Sequence, residues 1–213
     1  VTELQSVGVN LSLSPVLDLD YGLNDVIGDR SFSSLPAMVS VLGKRVIDTM
    51  HECGMTTVAK HFPGHGGVTA DSHVELPVDR RDWETLWHAD MQPFIQLSSQ
   101  YDAVMPAHII FSTIKDELVS YSHYWLNDVL RDQVGFQGVI MSDDLTMNAA
   151  THIGGYDDRT QAALEAGCDM LIACNDRAGA IKVLETSARH TQGKKNQYLE
   201  TYLKKIASPS LVV

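Results

Sequence analysis

Residues 60–73, KHFPGHGGVTADSH, hold three histidines, a lysine, an aspartate and three glycines. Histidine titrates near neutrality, so one side chain can give and take a proton within a single reaction cycle. Lys60 and His61 stand side by side, a cation next to a hydrogen-bonding ring. Such a pair suits sugar hydroxyls or a carboxylate, and it equally suits a surface salt bridge. Asp71 and His73 are two residues apart; on an extended backbone the carboxylate can accept the imidazole N–H and raise its basicity. That is the orienting half of a catalytic triad, without an evident serine. A second cluster, GVIMSDDLTM at 138–147, runs an apolar stretch into Asp143 and Asp144. Neighbours on a strand point to opposite faces, so at most one of the two enters a pocket, and the other can cap a helix. His61, His65, His73, His108 and Asp143 also match the inventory of a barrel metallohydrolase, although no His-x-His pair ends an early strand.

These groups need a rigid frame. Nearly continuous apolar runs at 9–18, 56–61, 103–109, 138–141 and 170–173 read as strands buried on both faces. Between them lie stretches of helical spacing. Met38, Val41, Leu42, Val46, Thr49 and Met50 form one stripe, opened by Ser34 and Pro36. Trp83, Leu86, Trp87, Met91, Phe94 and Ile95 form a second, and Trp125, Leu126, Val129 and Leu130 a third that Gly135 closes. Residues 160–166 form a fourth, stopped by Gly167. The tail from 193 to 213 reads as a closing helix with Tyr198, Leu199, Tyr202, Leu203 and Ile206 on one face. Alternating strands and helices imply a parallel sheet, doubly wound or closed as a barrel. Polar residues collect just after the apolar runs: Asp18 and Asp20, Lys60 and His61, His108, Asp143 and Asp144, Asn175 and Asp176. This favours the barrel, whose chemistry sits at the carboxyl ends of its strands. The loop rich in Gly64, Gly66 and Gly67 reads as a loosely packed, hinged lid.

Composition narrows the partners. With 16 basic and 27 acidic residues the net charge is −11, and no basic stripe offers counterion release to nucleic acid or to a membrane surface. No apolar run approaches the roughly 18 residues of a membrane span. Residues 1–9 lack the basic flank and apolar block of a secretory leader. Cys53, Cys168 and Cys174, odd in number and set among apolar residues, read as buried thiols of a reducing compartment.

Taken together, KHFPGHG, DSH, DAVMPAHI and GVIMSDDLTM resemble the bacterial β-N-acetylhexosaminidases of glycoside hydrolase family 3. SPVLDLDY, VIGDRSFS and ALEAGCDMLIACN extend the likeness collinearly from residue 7 to residue 175. The resemblance implies an α/β fold, a TIM-type barrel of eight βα units of which 1–213 carries the last five as one partial catalytic domain. It implies a retaining exo-glycosidase that releases non-reducing N-acetylglucosamine without a metal or other cofactor. The similar cytoplasmic subgroup acts on N-acetylglucosaminyl-1,6-anhydromuramyl peptides in peptidoglycan recycling. Carried over by position, Asp143 is the nucleophile, and His73, supported by Asp71, the acid/base. Arg30, Lys60 and His61 bind the sugar. The family's first three units, including a DQEGG strand end that reaches the sugar pocket, have no counterpart here. A separate N-terminal segment completing the barrel is therefore expected, with unpaired sheet edges at 9–17 and 170–173.

Overall fold

The computed structural model describes residues 1–23, 27–69, 76–193 and 195–207. Its frame is a curled, all-parallel sheet of β1 (Leu11–Ser12), β2 (Thr56–Phe62), β4 (Ala103–Pro106), β7 (Val139–Asp144) and β8 (Met170–Ile172), in that order. Leu11 pairs with Thr56, Val58 with Ala103, Ala103 with Val139, and Met141 with Met170. The result is an open partial barrel with β1 and β8 as its edges. A side sheet joins β3 (Val78–Asp79), β5 (Ile110–Phe111) and β6 (Lys115–Leu118) beside the rim.

Two of the apolar runs are shorter as strands than their sequences suggest. After Ser12 the first run is no longer a regular strand, although Val16 bridges Lys60 and backbone bonds from Val58, Lys60 and Leu17 keep it against β2. The run from 103 breaks after Pro106, and its continuation leaves the barrel to pair as β5.

Period-two alternation divides the core into two layers. Ala59, Val104 and Ile140 face outward into a large cluster with Ile47, Phe94 and Trp125. Their neighbours Val58, Ala103 and Val139 face inward, with Met105 and Met141. Helix Gln197–Ala207 lays Tyr198, Tyr202 and Ile206 over this inner layer. The predicted tail helix thus forms, although Leu203 points to solvent.

Helix Pro36–Glu52 corrects the sequence reading. It packs through Val39, Ser40, Gly43 and Ile47, whereas Met38, Val41 and Leu42 are exposed. Both faces are apolar, and the sequence stripe marks the outer one. The other stripes do face the core: Leu86, Met91, Phe94, Trp125, Leu126, Val129 and Leu130 are fully buried. Gly167 ends helix Tyr156–Ala166 in the left-handed conformation that an L side chain resists.

Two aspartates tie the amino ends of the strands together. Asp102, just before β4, accepts the Thr57 N–H of β2 at 2.8 Å and His51 Nε2 at 2.7 Å. Asp169, just before β8, accepts the Ile140 N–H of β7 and the Arg131 guanidinium, both at 2.8 Å. Helix Gln197–Ala207 and the residue before it meet the same carboxylates, Lys205 at Asp102 and Asn196 at Asp169.

Candidate active site

The carboxyl ends of the strands converge on a cavity of about 140 Å³ lined by Arg30, Lys60, His61, His65, Asp143 and Asp144 among others. Leu13, Met105 and Ile172 supply its apolar floor. A larger hollow of about 600 Å³ lies at the opposite end, between Asp102, Gly138 and Tyr202. It holds no comparable convergence of acids and bases.

The two adjacent aspartates have separate duties. Asp144 is engaged by its own turn, accepting Thr146 N–H at 2.9 Å, Thr146 Oγ1 at 2.8 Å and Cys174 N–H at 3.1 Å. Asp143 accepts the Asp144 N–H at 2.8 Å. Burial pushes the Asp143 carboxyl up, but His108, His61, that N–H and Lys60 hold it below the ordinary carboxylate value. It is therefore an anion at neutral pH. Both carboxylates line the cavity, so strict strand alternation does not hold at the end of β7, where the register with β8 shifts between Met141 and Asp144.

Lys60 and His61 close β2. Burial lowers the Lys60 pKa, with Asp143 opposing the shift and Arg30 adding to it. His61 is held by Asp18, a fully buried residue that follows the first strand. One Asp18 oxygen accepts His61 Nδ1 at 2.7 Å and the His61 N–H at 3.1 Å; the other accepts the His65 N–H at 2.7 Å. Burial pushes the Asp18 carboxyl up, but His61 and His65 hold it below the usual range. Arg30, which ends the short turn Gly28–Arg30, reaches the cavity from the exposed side.

Asp18, His65 and His108 were absent from the sugar-site assignment, although the sequence placed Asp18 and His108 at strand ends and His65 and His108 among the candidate metal ligands. His108 is fully buried behind Asp143, with Nδ1 at 2.5 Å from Ser120 Oγ and its ring stacked on Tyr121. Burial lowers the pKa of both His65 and His108, so both are neutral. For His108 the strand-end position was the available signal; His65 lies in the glycine loop four residues past the run at 56–61.

The glycine loop departs from the lid expectation over its first part. Residues 63–66 and Val68 are buried. Gly64, at φ +134°, packs on Asp90, and Gly66 lies against the Leu19 carbonyl, leaving no room for a Cβ at either position. These glycines serve close packing. Asp71 and His73 lie outside the described residues. Cys168 is buried as expected, but Cys53 is only half-buried and Cys174 is exposed beside the cavity.

Among the described residues, no group of three or more His, Cys, Asp or Glu is arranged to hold a metal ion. No described helix is long and apolar enough to cross a membrane.

Known proteins resemble this chain in sequence and fold. Residues 1–208 match the glycosyl hydrolase family 3 N-terminal domain. A β-hexosaminidase of Tolumonas auensis is 53% identical over 185 residues, which are 86% of this chain and 55% of the relative. One of Idiomarina loihiensis is 45% identical over 94% of this chain and 61% of its own length. Among solved structures, NagZ from Neisseria gonorrhoeae in complex with N-trifluoroacetyl-D-glucosamine superposes with a TM-score of 0.84 at 38% identity. That likeness covers 96% of this chain and 58% of the NagZ chain. The chain thus spans little more than half the length of these relatives. Family model, sequence identity and fold agree: this chain belongs to glycoside hydrolase family 3.

Proposed function

We propose that the chain carries the nucleophile-bearing part of a retaining exo-β-N-acetylglucosaminidase. The observation that supports it most is Asp143, an ionised carboxylate at the end of β7 on a cavity shared with Arg30, Lys60 and His61. In this reading the three basic side chains hold the hydroxyls of a terminal N-acetylglucosamine. Asp143 attacks the anomeric carbon while His73, oriented by Asp71, protonates the departing oxygen. Water then hydrolyses the glycosyl ester, with His73 taking its proton. The relative solved with an N-acylated glucosamine supports this sugar class.

We extend the proposal to N-acetylglucosaminyl-1,6-anhydromuramyl peptides as substrate and to a cytoplasmic role in peptidoglycan recycling, on the strength of the subgroup resemblance. Residues 1–213 act as one catalytic domain whose barrel an N-terminal segment completes, and no metal or other cofactor takes part. A slow-turnover fluorinated glycoside tests the chemistry. Mass spectrometry of the trapped ester should place the label on Asp143; a label on Asp144 or Asp18 would overturn the assignment.

The open edges β1 and β8 favour a second reading for residues 1–213 alone: sugar binding without turnover. Exposed Leu35, Met38, Val41 and Leu42 at one flank, with Ile181 and Leu184 on helix Arg177–Thr191, leave apolar area wet that a completed barrel would cover. Aryl-glycoside hydrolysis measured beside N-acetylglucosamine binding separates the readings, and full turnover by a folded 1–213 monomer would exclude the second.

A further inference from the structure

His61 can meet a ligand in three states: protonated on Nδ1, on Nε2, or on both. Its surroundings exclude the second, a proton on Nε2 alone. Asp18 is fully buried and places one oxygen 2.7 Å from Nδ1. An ionised carboxylate only accepts, so the imidazole must donate from Nδ1. No described residue bonds the opposite nitrogen, Nε2, while the His61 ring lines the sugar cavity. Asp18 cannot turn away, because its two oxygens also hold the backbone N–H groups of His61 and His65. Its chain segment is fixed by Leu17 N–H to Lys60 O at 2.7 Å and Lys60 N–H to Pro15 O at 3.1 Å.

We propose that Asp18 is a positioning residue of the sugar site: it holds a His61 ring proton on Nδ1, so that the singly protonated ring presents Nε2 to the cavity as an acceptor. The cavity then recognises one sugar hydroxyl as a hydrogen-bond donor, whereas the Lys60 ammonium only donates and reads hydroxyls as acceptors. The assignment rests on the reading of the cavity as a sugar site, and it adds a polarity to it. Asp18 makes no contact with substrate in this scheme.

Nitrogen-15 NMR of the histidine rings near pH 8, with His61→Gln to assign the signal, tests the tautomer directly. A protonated Nδ1 and bare Nε2 are expected; a proton on Nε2 would overturn the proposal whether or not sugar binds. Binding of N-acetylglucosamine analogues fluorinated at single hydroxyl positions tests the consequence, because fluorine cannot donate. One analogue should lose about tenfold in affinity, roughly the net value of one hydrogen bond. That loss should shrink in His61→Ala and in Asp18→Asn, whose amide can donate to Nδ1 and move the ring proton to Nε2. A donor requirement untouched by either substitution would also overturn the proposal. If Asp18→Asn fails to fold, the wild-type ring state and the His61→Ala comparison still decide. Absence of all sugar binding, with the tautomer as expected, would refute the sugar site and the donor requirement while leaving the Asp18–His61 lock in place.

Discussion

Two Asp–His pairs stand at opposite ends of the same sheet with the same separation. His51 Nε2 lies 2.7 Å from Asp102 at the amino ends of the strands, and His61 Nδ1 lies 2.7 Å from Asp18 at the carboxyl ends. Pair geometry alone therefore does not mark a functional site. The surroundings do. Asp102 has its remaining capacity taken by Thr57 and Lys205, and among the described residues no second carboxylate bonds His51. His61 shares its cavity with Arg30, Lys60 and Asp143. One pair closes a structure; the other leaves a nitrogen facing a cavity.

The largest test of this contrast is at Asp143. Asp143→Asn should lower kcat by about 10⁴-fold or more, as removal of a nucleophile does in other hydrolases, with the melting temperature little changed. Asp102→Asn should leave kcat nearly intact. If the two substitutions cost comparable activity, the division between the two ends of the sheet is wrong.

His73→Ala should slow glycosides with an alkoxide leaving group by roughly 10²–10⁴-fold, the usual worth of general acid catalysis. Formation of the glycosyl ester from an activated aryl glycoside should be slowed far less, because a phenolate departs without a proton. Equal losses on both substrates would assign His73 a structural role. Lys60→Ala should lower kcat/KM by about 10–100-fold through one lost charged hydrogen bond. A parallel His51→Ala should show no such loss, and steady-state kinetics on both variants sharpens the comparison.

Stability should respond in the reverse order. Asp102→Asn leaves the Thr57 N–H and Lys205 less well matched and should cost about 1–3 kcal/mol, seen as a lower denaturant midpoint. The smallest effect is in pH. Burial holds the folded pKa of His65 and His108 below the ordinary 6.5, so the unfolded chain binds more protons between those values. Their contribution is complete above about pH 6.5 and declines as the pH falls toward the folded values. His108→Gln should flatten the fall in melting temperature between about pH 6.5 and 5. An unchanged slope would show that His108 is not held neutral.

Much of the frame was legible because it rests on local rules. The apolar runs, the stops at Gly135 and Gly167, and the buried Trp125 stripe each depend on neighbours within a few residues. Asp18 was not legible as a partner of His61, since 43 residues separate them and only the β1–β2 pairing brings them together. The face of helix Pro36–Glu52 was misread because both of its sides are apolar, and periodicity cannot rank two such stripes. The glycines after Pro63 signalled freedom of the backbone, yet in the fold they answer to the nearness of Asp90 and Leu19. Glycine's missing side chain serves both ends, and sequence does not say which.

Asp102 and Asp169 have a consequence for how the curved wall is specified. Each stands just before one strand and binds the N–H of a residue in the strand beside it, Thr57 or Ile140. Sliding either strand by two residues would preserve the apolar faces but strip the carboxylate of its partner. A closed barrel accumulates a fixed stagger around its circumference, and here that stagger is written pairwise, one junction at a time. The arc thus carries its own share of the offset, much as each wedge in a stone arch carries its angle before the ring is closed.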